Sequence, residues 1–528
     1  MLHVSREPEP VTTRALLEGA WRARGALVRA GVRPGDRVPI LLPTSAHFIW
    51  AFFGAMLAGA APVPLAAPLT FGSLDRYLRR LAAVISDSGA KVLVTTARIR
   101  DALANDPAAV EGLDSVLLPE DLDVKGPADP RVPSVDASSR ALLQYTSGTT
   151  GHPKGVVISH GALVSNAHAI ATALELSDRD VGASWLPMFH DMGLIGVVVT
   201  AAYRPYPVHL LRPESFIMRP SRWLALVASQ RATISAAPNF AYEMATKRVD
   251  PSALDGLGSW RAALNGAEPV RPRTIERFAE RFAPAGYDST AMMPVYGMAE
   301  ATLAVTFPSL GHKLRVEQVD PERLQRAAFA APSAAGNART TISCGAPVNR
   351  TSLRVRGGAR VLDEGQVGEI EVQGPSLMDG YFRNEEASAA ALVDGWLRTG
   401  DLGYVRGGQL FVVGRAKDVI IKGGRNLYPE DIERIASEAP GADAGVAAVG
   451  RPCAETGTEE LVVLVETRAK DPAEREETAR VVRGELLAAI EAKVDDVVLC
   501  PVGSLPRTTS GKVQRGACAL LVAGGSWP

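Results

Sequence analysis

The chain has 528 residues, 46% of them hydrophobic and 22% charged, with a formal net charge of −1. That length exceeds one ordinary core, so a globular chain of two or more domains is expected. Near-neutral charge without a long Lys/Arg run excludes a nucleic-acid partner held mainly by charge.

Taken from the N-terminus, the first ten residues hold no apolar signal region. The four cysteines (Cys344, Cys453, Cys500, Cys518) are scattered, with no Cys-x-x-Cys pair. Together these features exclude a zinc site and a disulfide framework, and they predict a cytoplasmic, reducing compartment. A helix is predicted over Thr13–Ala30. Residues 38–74 then carry no Asp, Glu, Lys or Arg and pass for a membrane span by hydropathy. Pro43, Pro62, Pro64 and Pro68 interrupt the stretch, so it reads as a buried helix from about Ser45 to Gly59 and a short strand. Further helices are predicted over Leu74–Ser88, Ala162–Leu174 and Ser221–Gln230. Strands are predicted at Lys91–Thr95, Ala141–Tyr145 and Ala183–Leu186. The alternation predicts α/β layering with mostly parallel strands. Ala327–Ala338 reads as a loop. Residues 353–413 turn to short strand-like pieces with Gly turns, a β-rich subdomain. From about Lys417 a smaller α+β unit follows, with the boundary at Gly414–Asp418. The expected division is 1–416 and 417–528.

The most informative stretch is Gln144–His160, Gln-Tyr-Thr-Ser-Gly-Thr-Thr-Gly-His-Pro-Lys-Gly-Val-Val-Ile-Ser-His. Its glycines, Gly148 and Gly151 among them, let backbone approach a phosphate closely. Thr146, Ser147, Thr149 and Thr150 offer hydroxyls beside exposed N–H groups, and Lys154 offers a point charge. The order is not that of a Walker loop. His190 and Asp191 lie between apolar residues in Trp185-Leu-Pro-Met-Phe-His-Asp-Met-Gly-Leu. In Ala237-Pro-Asn-Phe, Pro238 and Asn239 read locally as a helix start and cap. Pro294-Val-Tyr-Gly-Met-Ala-Glu offers Tyr296 to stack on an adenine and Glu300 to hold Mg²⁺, a hard ion that prefers oxygen. Asp401 can accept two hydroxyl hydrogen bonds. Lys512 sits on a Gly-containing loop in Leu505-Pro-Arg-Thr-Thr-Ser-Gly-Lys.

These segments, in this order from about Pro43 to Arg515, resemble the adenylate-forming superfamily of acyl-CoA synthetases, adenylation domains and luciferases. Trp-Leu-Pro-Met-Phe-His-Asp-Met-Gly-Leu and Gly424-Arg-Asn-Leu-Tyr-Pro resemble its fatty acyl-AMP ligase branch most closely. The resemblance implies a large N-terminal part of two α/β subdomains and a β-rich one, with a small α+β C-terminal lid. It implies that a carboxylic acid, fatty or otherwise bulky, reacts with ATP and Mg²⁺ to give acyl-AMP and pyrophosphate. The acyl group then passes to a phosphopantetheine thiol, of an acyl carrier protein or, as in ordinary acyl-CoA ligases, of free CoA. A non-catalytic nucleotide-binding relic is the alternative of another class, and retention of Glu300 and Lys512 argues against it.

By the same resemblance His190, Glu300 and Lys512 are catalytic. Thr146, Ser147, Gly148, Thr149, Thr150, Gly151 and Lys154 hold phosphates. Gly266, Ala267 and Glu268 frame the adenine with Tyr296, Gly297, Met298 and Ala299. Asp401 and Arg415 bind the ribose or phosphate. Met188, Asn239, Phe240 and Met298 border the acyl pocket, and Asp418 is the hinge. A surplus segment at about Arg315–Arg339 matches an insertion of the branch that is thought to disfavour the lid orientation free CoA needs; the alternative is a passive surface loop. The segment before Thr13 is shorter than the family's, and His152 is foreign to the family's loop and has no assigned role.

Overall fold

The computed structural model describes residues 2–3, 10–66, 74–104, 112–124, 132–146, 154–254, 256–453, 458–490, 492–508 and 511–524. Ser147, Gly148, Thr149, Thr150, Gly151 and His152, the heart of the expected phosphate loop, lie outside them.

Parallel strands dominate the first half, as the alternating pattern predicts. One sheet runs Ala61–Pro64, Arg37–Leu41, Val92–Thr95, Ser115–Leu117, with every neighbour parallel. A second runs Leu2–His3, Val208–Leu211, Gly182–Ser184, Ile234–Ala237, Ala262–Asn265, Met292–Pro294, again all parallel. Strand Gly182–Ser184 stops short of the expected Leu186. There the Ser184 hydroxyl accepts the Leu186 N–H at 3.1 Å and turns the chain.

The apolar stretch forms helix Ala46–Leu57 followed by strand Ala61–Pro64. Its Phe48, Ile49, Ala51, Phe52 and Ala55 are buried against helix Thr13–Arg29 and the first sheet. No helix among the described residues is long and apolar enough to cross a membrane. Around the second sheet an aromatic core forms from Trp223, Trp260, Tyr242, Phe278 and Tyr287. Helix Pro272–Phe282 feeds it with Ile275, Phe278 and Phe282, spaced to share one helical face.

The β-rich region is an antiparallel sheet built from Ser352–Gly357, Arg360–Val361, Gly368–Gln373, Leu392–Val393, Trp396–Arg406 and Gln409–Arg415. A single turn at Ala416–Asp418 leads to a smaller α+β unit. In it Val446–Cys453, Thr458–Thr467 and Asp496–Pro501 form a sheet packed on helices Pro429–Glu438 and Pro472–Ile490.

The surplus segment is structured. Strands Val316–Val319 and Arg339–Ile342 pair antiparallel and enclose helix Pro321–Ala327. Val319, Leu324 and Ala330 are buried with Tyr404, Phe411 and Tyr428. Glu317 takes Arg406 at 2.5 Å, Arg315 at 2.9 Å and the Tyr404 hydroxyl at 3.1 Å. The segment also reaches the C-terminal unit, through Gln325 to Arg425 at 3.0 Å and Arg339 to Asp431 at 3.1 Å. It is not a passive surface loop. The expected loop at Ala327–Ala338 is its return path, entered through Ala328 at φ +47°.

Candidate active site

The described candidate residues gather where the second sheet's strands end. Chains leaving parallel strands at their carboxyl ends form the usual ligand crevice of open α/β sheets. Here those exits carry Trp185–Asp191, Pro238–Phe240, Gly266–Glu268 and Val295–Glu300. The last exit is tightly folded. A Cβ on Gly297 would lie 2.0 Å from the Leu303 carbonyl oxygen, so only glycine fits. Beyond Glu300, Thr302 adopts φ +67°, ψ −58°, and the Leu303 N–H donates to the Ala301 carbonyl at 2.8 Å. This γ-turn with positive φ is a strained form for a β-branched residue. The Thr302 hydroxyl pins it by donating to the Ser376 carbonyl at 2.7 Å. Strain of this kind concentrates at functional sites.

The expected ribose residues are joined directly. Asp401 and Arg415 are opposed on antiparallel strands and pair at 2.7 Å. The Tyr296 hydroxyl donates to the other carboxylate oxygen at 2.8 Å. Burial, and then the Asp401 charge, push the Tyr296 phenol well above its ordinary pKa, so it stays neutral. A carboxylate has about four lone-pair sites, which leaves Asp401 capacity for hydroxyls of a ligand.

Glu300 accepts the Tyr381 hydroxyl at 3.0 Å, and the Lys154 ammonium lies 4.9 Å from the Tyr381 ring centroid. Sequence reasoning missed Tyr381. Its strand, Gly380–Tyr381, pairs with Lys154–Ser159, a register with no local signature. Thr146 and Lys154 face each other at the strand ends that flank the undescribed loop. Lys417, which marked only the expected start of the C-terminal unit, also lies here. Burial lowers its pKa, and the Arg415 and Lys154 charges add to that. Lys154, Arg415, Lys417 and Lys512 thus form a cationic group suited to phosphates.

On the other side, His190 Nδ1 and Asp191 Oδ1 approach to 2.6 Å. Burial acts to raise the Asp191 carboxyl, but His190, the Met192 N–H and Lys512 outweigh it and hold the pKa below the carboxylate range. Glu268 is raised by burial, and its Oε1 accepts the Phe240 N–H at 2.5 Å. The Lys512 residue keeps open surface. Crowding by protein nonetheless lowers its ammonium pKa, against the opposing pull of Asp191 and Glu268. Lys512, 321 positions after Asp191 in the chain, is therefore within electrostatic reach of the His190 pair, Glu268 and Asp401.

Trp185 stacks on Phe216 at 3.9 Å, and Phe240 meets Trp185 edge-on at 6.2 Å. Met188 and Met298 share another apolar cluster. Asn239 is not the cap of its helix. It occupies the first helical position, and its side chain accepts the Arg271 N–H at 3.1 Å and reaches Thr274 at 3.4 Å. Gly266 donates to the Ala237 carbonyl at 3.3 Å, and Ala267 has φ +67°. Asn265, just before them, is fully buried, and among the described residues neither of its amide atoms has a partner. Met298 and Ala299 lie on the turn that presents Glu300. Asp418 accepts Arg515 at 2.9 Å, and Arg515 also pairs with Glu430 and Glu433 at 2.8 and 2.7 Å. This arrangement can hold an anionic nucleotide beside an acidic or acyl group, with a lysine bridging the two.

Comparison with known proteins agrees. The AMP-binding enzyme family profile matches residues 2–382. A putative acyl-CoA synthetase of Caulobacter vibrioides is 37% identical over 95% of this chain and 88% of its own length. The medium-chain-fatty-acid–[acyl-carrier-protein] ligase JamA of Moorena producens is 34% identical, covering 96% and 88%. A structure from a study of fatty acyl-adenylate ligases of E. coli and L. pneumophila superimposes with TM-score 0.92 at 33% identity, over 98% of this chain and 94% of the other. The chain belongs to the AMP-binding enzyme family and is an adenylate-forming acyl-acid ligase.

Proposed function

We propose that the protein activates a fatty or similarly bulky carboxylic acid with ATP and delivers the acyl group to the phosphopantetheine of a carrier protein. In the first half-reaction a carboxylate oxygen bonds to the α-phosphorus and the bond to the β-phosphate oxygen breaks, releasing pyrophosphate. In the second, a thiolate attacks the acyl carbonyl and AMP leaves. The observation that carries this reading is the side-chain geometry at these strand ends, His190 on Asp191 at 2.6 Å and Asp401 between Arg415 at 2.7 Å and Tyr296 at 2.8 Å, with Lys512 near enough for the Asp191, Glu268 and Asp401 charges to act on it. Charge developing between acid and α-phosphate would meet that ammonium. His190 and Asp191 would border the carboxylate, Asp401 and Arg415 the ribose, and Tyr296 with Gly266–Glu268 the adenine. Residues 146–154 would cradle the phosphates.

Glu300 would hold Mg²⁺. No group of three or more acidic, His or Cys side chains among the described residues could form a metal cage. A single carboxylate fits Mg²⁺ all the same, since this ion takes one or two carboxylates and completes its shell with phosphates and water. When bound, the ion offsets phosphate charge. We assign residues 417–528 as a lid turning about Asp418, and place the protein in the cytoplasm with its nucleotide and carrier.

JamA's acceptor and the insertion's ties to the C-terminal unit favour a carrier protein over free CoA. The test supplies both acceptors. The protein should load a cognate holo carrier at least about tenfold faster than it makes acyl-CoA, a preference of 1.4 kcal/mol. Arg425→Ala, which releases Gln325, should raise CoA thioester formation. Efficient acyl-CoA synthesis by the intact protein would place it with the CoA ligases.

A further inference from the structure

We infer that Glu466 and Arg507 are positioning residues that brace the loop carrying Lys512. This inference rests on the adenylation role proposed for that lysine.

Glu466 lies near the end of strand Thr458–Thr467 and is 1% exposed. Its Oε1 accepts the N–H groups of Gly503 at 2.8 Å and Leu505 at 3.0 Å. Its Oε2 accepts the Gly445 N–H at 2.7 Å and Arg507 Nη2 at 3.2 Å. Burial acts to raise this carboxyl, but the three N–H groups and Arg507 hold it low, so it remains an anion. A buried carboxylate with that many donors is a rigid anchor, because charge-assisted bonds are shorter and stronger than neutral ones.

Arg507 carries the anchor outward. Its Nη1 donates to the carbonyl of Gly511, the residue before Lys512, at 3.2 Å. The planar guanidinium therefore spans from the buried carboxylate to the lysine loop, a reach that a lysine's single ammonium does not reproduce. The packing is close on the inner side. A Cβ on Gly445 would lie 2.2 Å from Arg507 Nη2 and 2.6 Å from Glu466 Oε2. The loop's own closure completes the brace. Arg507 and Val513 form an antiparallel bridge, Thr508 donates to the Lys512 carbonyl at 2.7 Å, and the Lys512 N–H donates to the Thr508 hydroxyl at 3.1 Å. Gln514 donates to the Pro506 carbonyl at 2.8 Å. Arg507 itself is part-exposed, and three backbone N–H groups still hold the Glu466 carboxylate when its guanidinium is removed.

The test uses the full-length protein with Arg507→Ala, Arg507→Lys, Lys512→Ala and the Arg507→Ala/Lys512→Ala double variant. Acid-dependent pyrophosphate release reads the first half-reaction, and thiol acylation from supplied acyl-AMP reads the second. Both Arg507 variants should lose about tenfold or more in the kcat of the first, since small misplacements of a catalytic group are costly. Their KM for ATP and acid, and their second half-reaction, should stay within about twofold, the scatter expected of independent sites. The double variant should be no slower than Lys512→Ala, because a brace has no effect once its lysine is gone. Full adenylation in Arg507→Ala overturns the inference. So does an additive double variant, or an equal loss in both half-reactions with a fall in melting temperature. Wild-type adenylation in Lys512→Ala would instead remove the reading of Lys512 itself.

Discussion

Lys512→Ala is expected to slow acyl-AMP formation by roughly 10²-fold or more, the effect of removing one preorganised electrostatic contact. The residue keeps open surface beside Gly511, so thermal stability should hardly move. Its pKa also predicts a pH profile. Protein crowded around the ammonium withdraws water and lowers its pKa from the ordinary lysine value, and Arg415 adds to the shift. The charged form assists adenylation, so the rate should fall as pH rises through that lowered pKa, earlier than for a solvated lysine. Lys512→Arg should move this alkaline limb upward, since a guanidinium does not deprotonate in the accessible range. Pyrophosphate release measured from pH 7 upward checks both statements. Near-wild-type rates in Lys512→Ala would remove the assignment.

Glu300→Gln should be nearly as damaging to activity and carry a different signature. Glutamine keeps the shape and an oxygen for the Tyr381 hydroxyl, now at 3.0 Å, and loses the charge. Activity should fall by about tenfold or more, and raising Mg²⁺ should restore part of it, because weakened binding responds to mass action. Calorimetry should show the loss in ATP affinity only when Mg²⁺ is present. A fall in activity that tracks loss of folded protein, with no response to Mg²⁺, would make Glu300 structural.

The fold was legible in the sequence wherever one segment decides its own state. The helix at Ala46–Leu57 is an example, because prolines and a short apolar run argued against a membrane span without reference to the rest of the chain. Helix Leu74–Ser88 was expected from the alternation of helical and strand-like stretches, and the β-rich region from short strand-like pieces with Gly turns. Asp401 and Arg415 were named separately, yet their direct pairing follows from strand register, which neither motif contains. Tyr381 and Glu300 are 81 positions apart, and Glu466 and Arg507 41 apart. Such contacts are set by tertiary packing, and single-segment patterns do not contain them. Asn239 was expected at the acyl pocket, with a helix cap as the local alternative; the cap does not form, since Asn239 is the first helical residue and its side chain accepts the Arg271 N–H. The Arg315–Arg339 surplus was expected to act on the lid, with a passive surface loop as the alternative, and its length could not show its packing: Val319, Leu324 and Ala330 are buried with Tyr404, Phe411 and Tyr428.

The central claim is that this site joins an acyl carboxylate to AMP. ATP–pyrophosphate exchange by the purified protein, with Mg²⁺ and a panel of carboxylic acids, tests it most directly. Exchange should be absent without acid and appear with fatty or other bulky acids, accompanied by acyl-AMP identified by mass. ATP binding without exchange for any acid in the panel would contradict it.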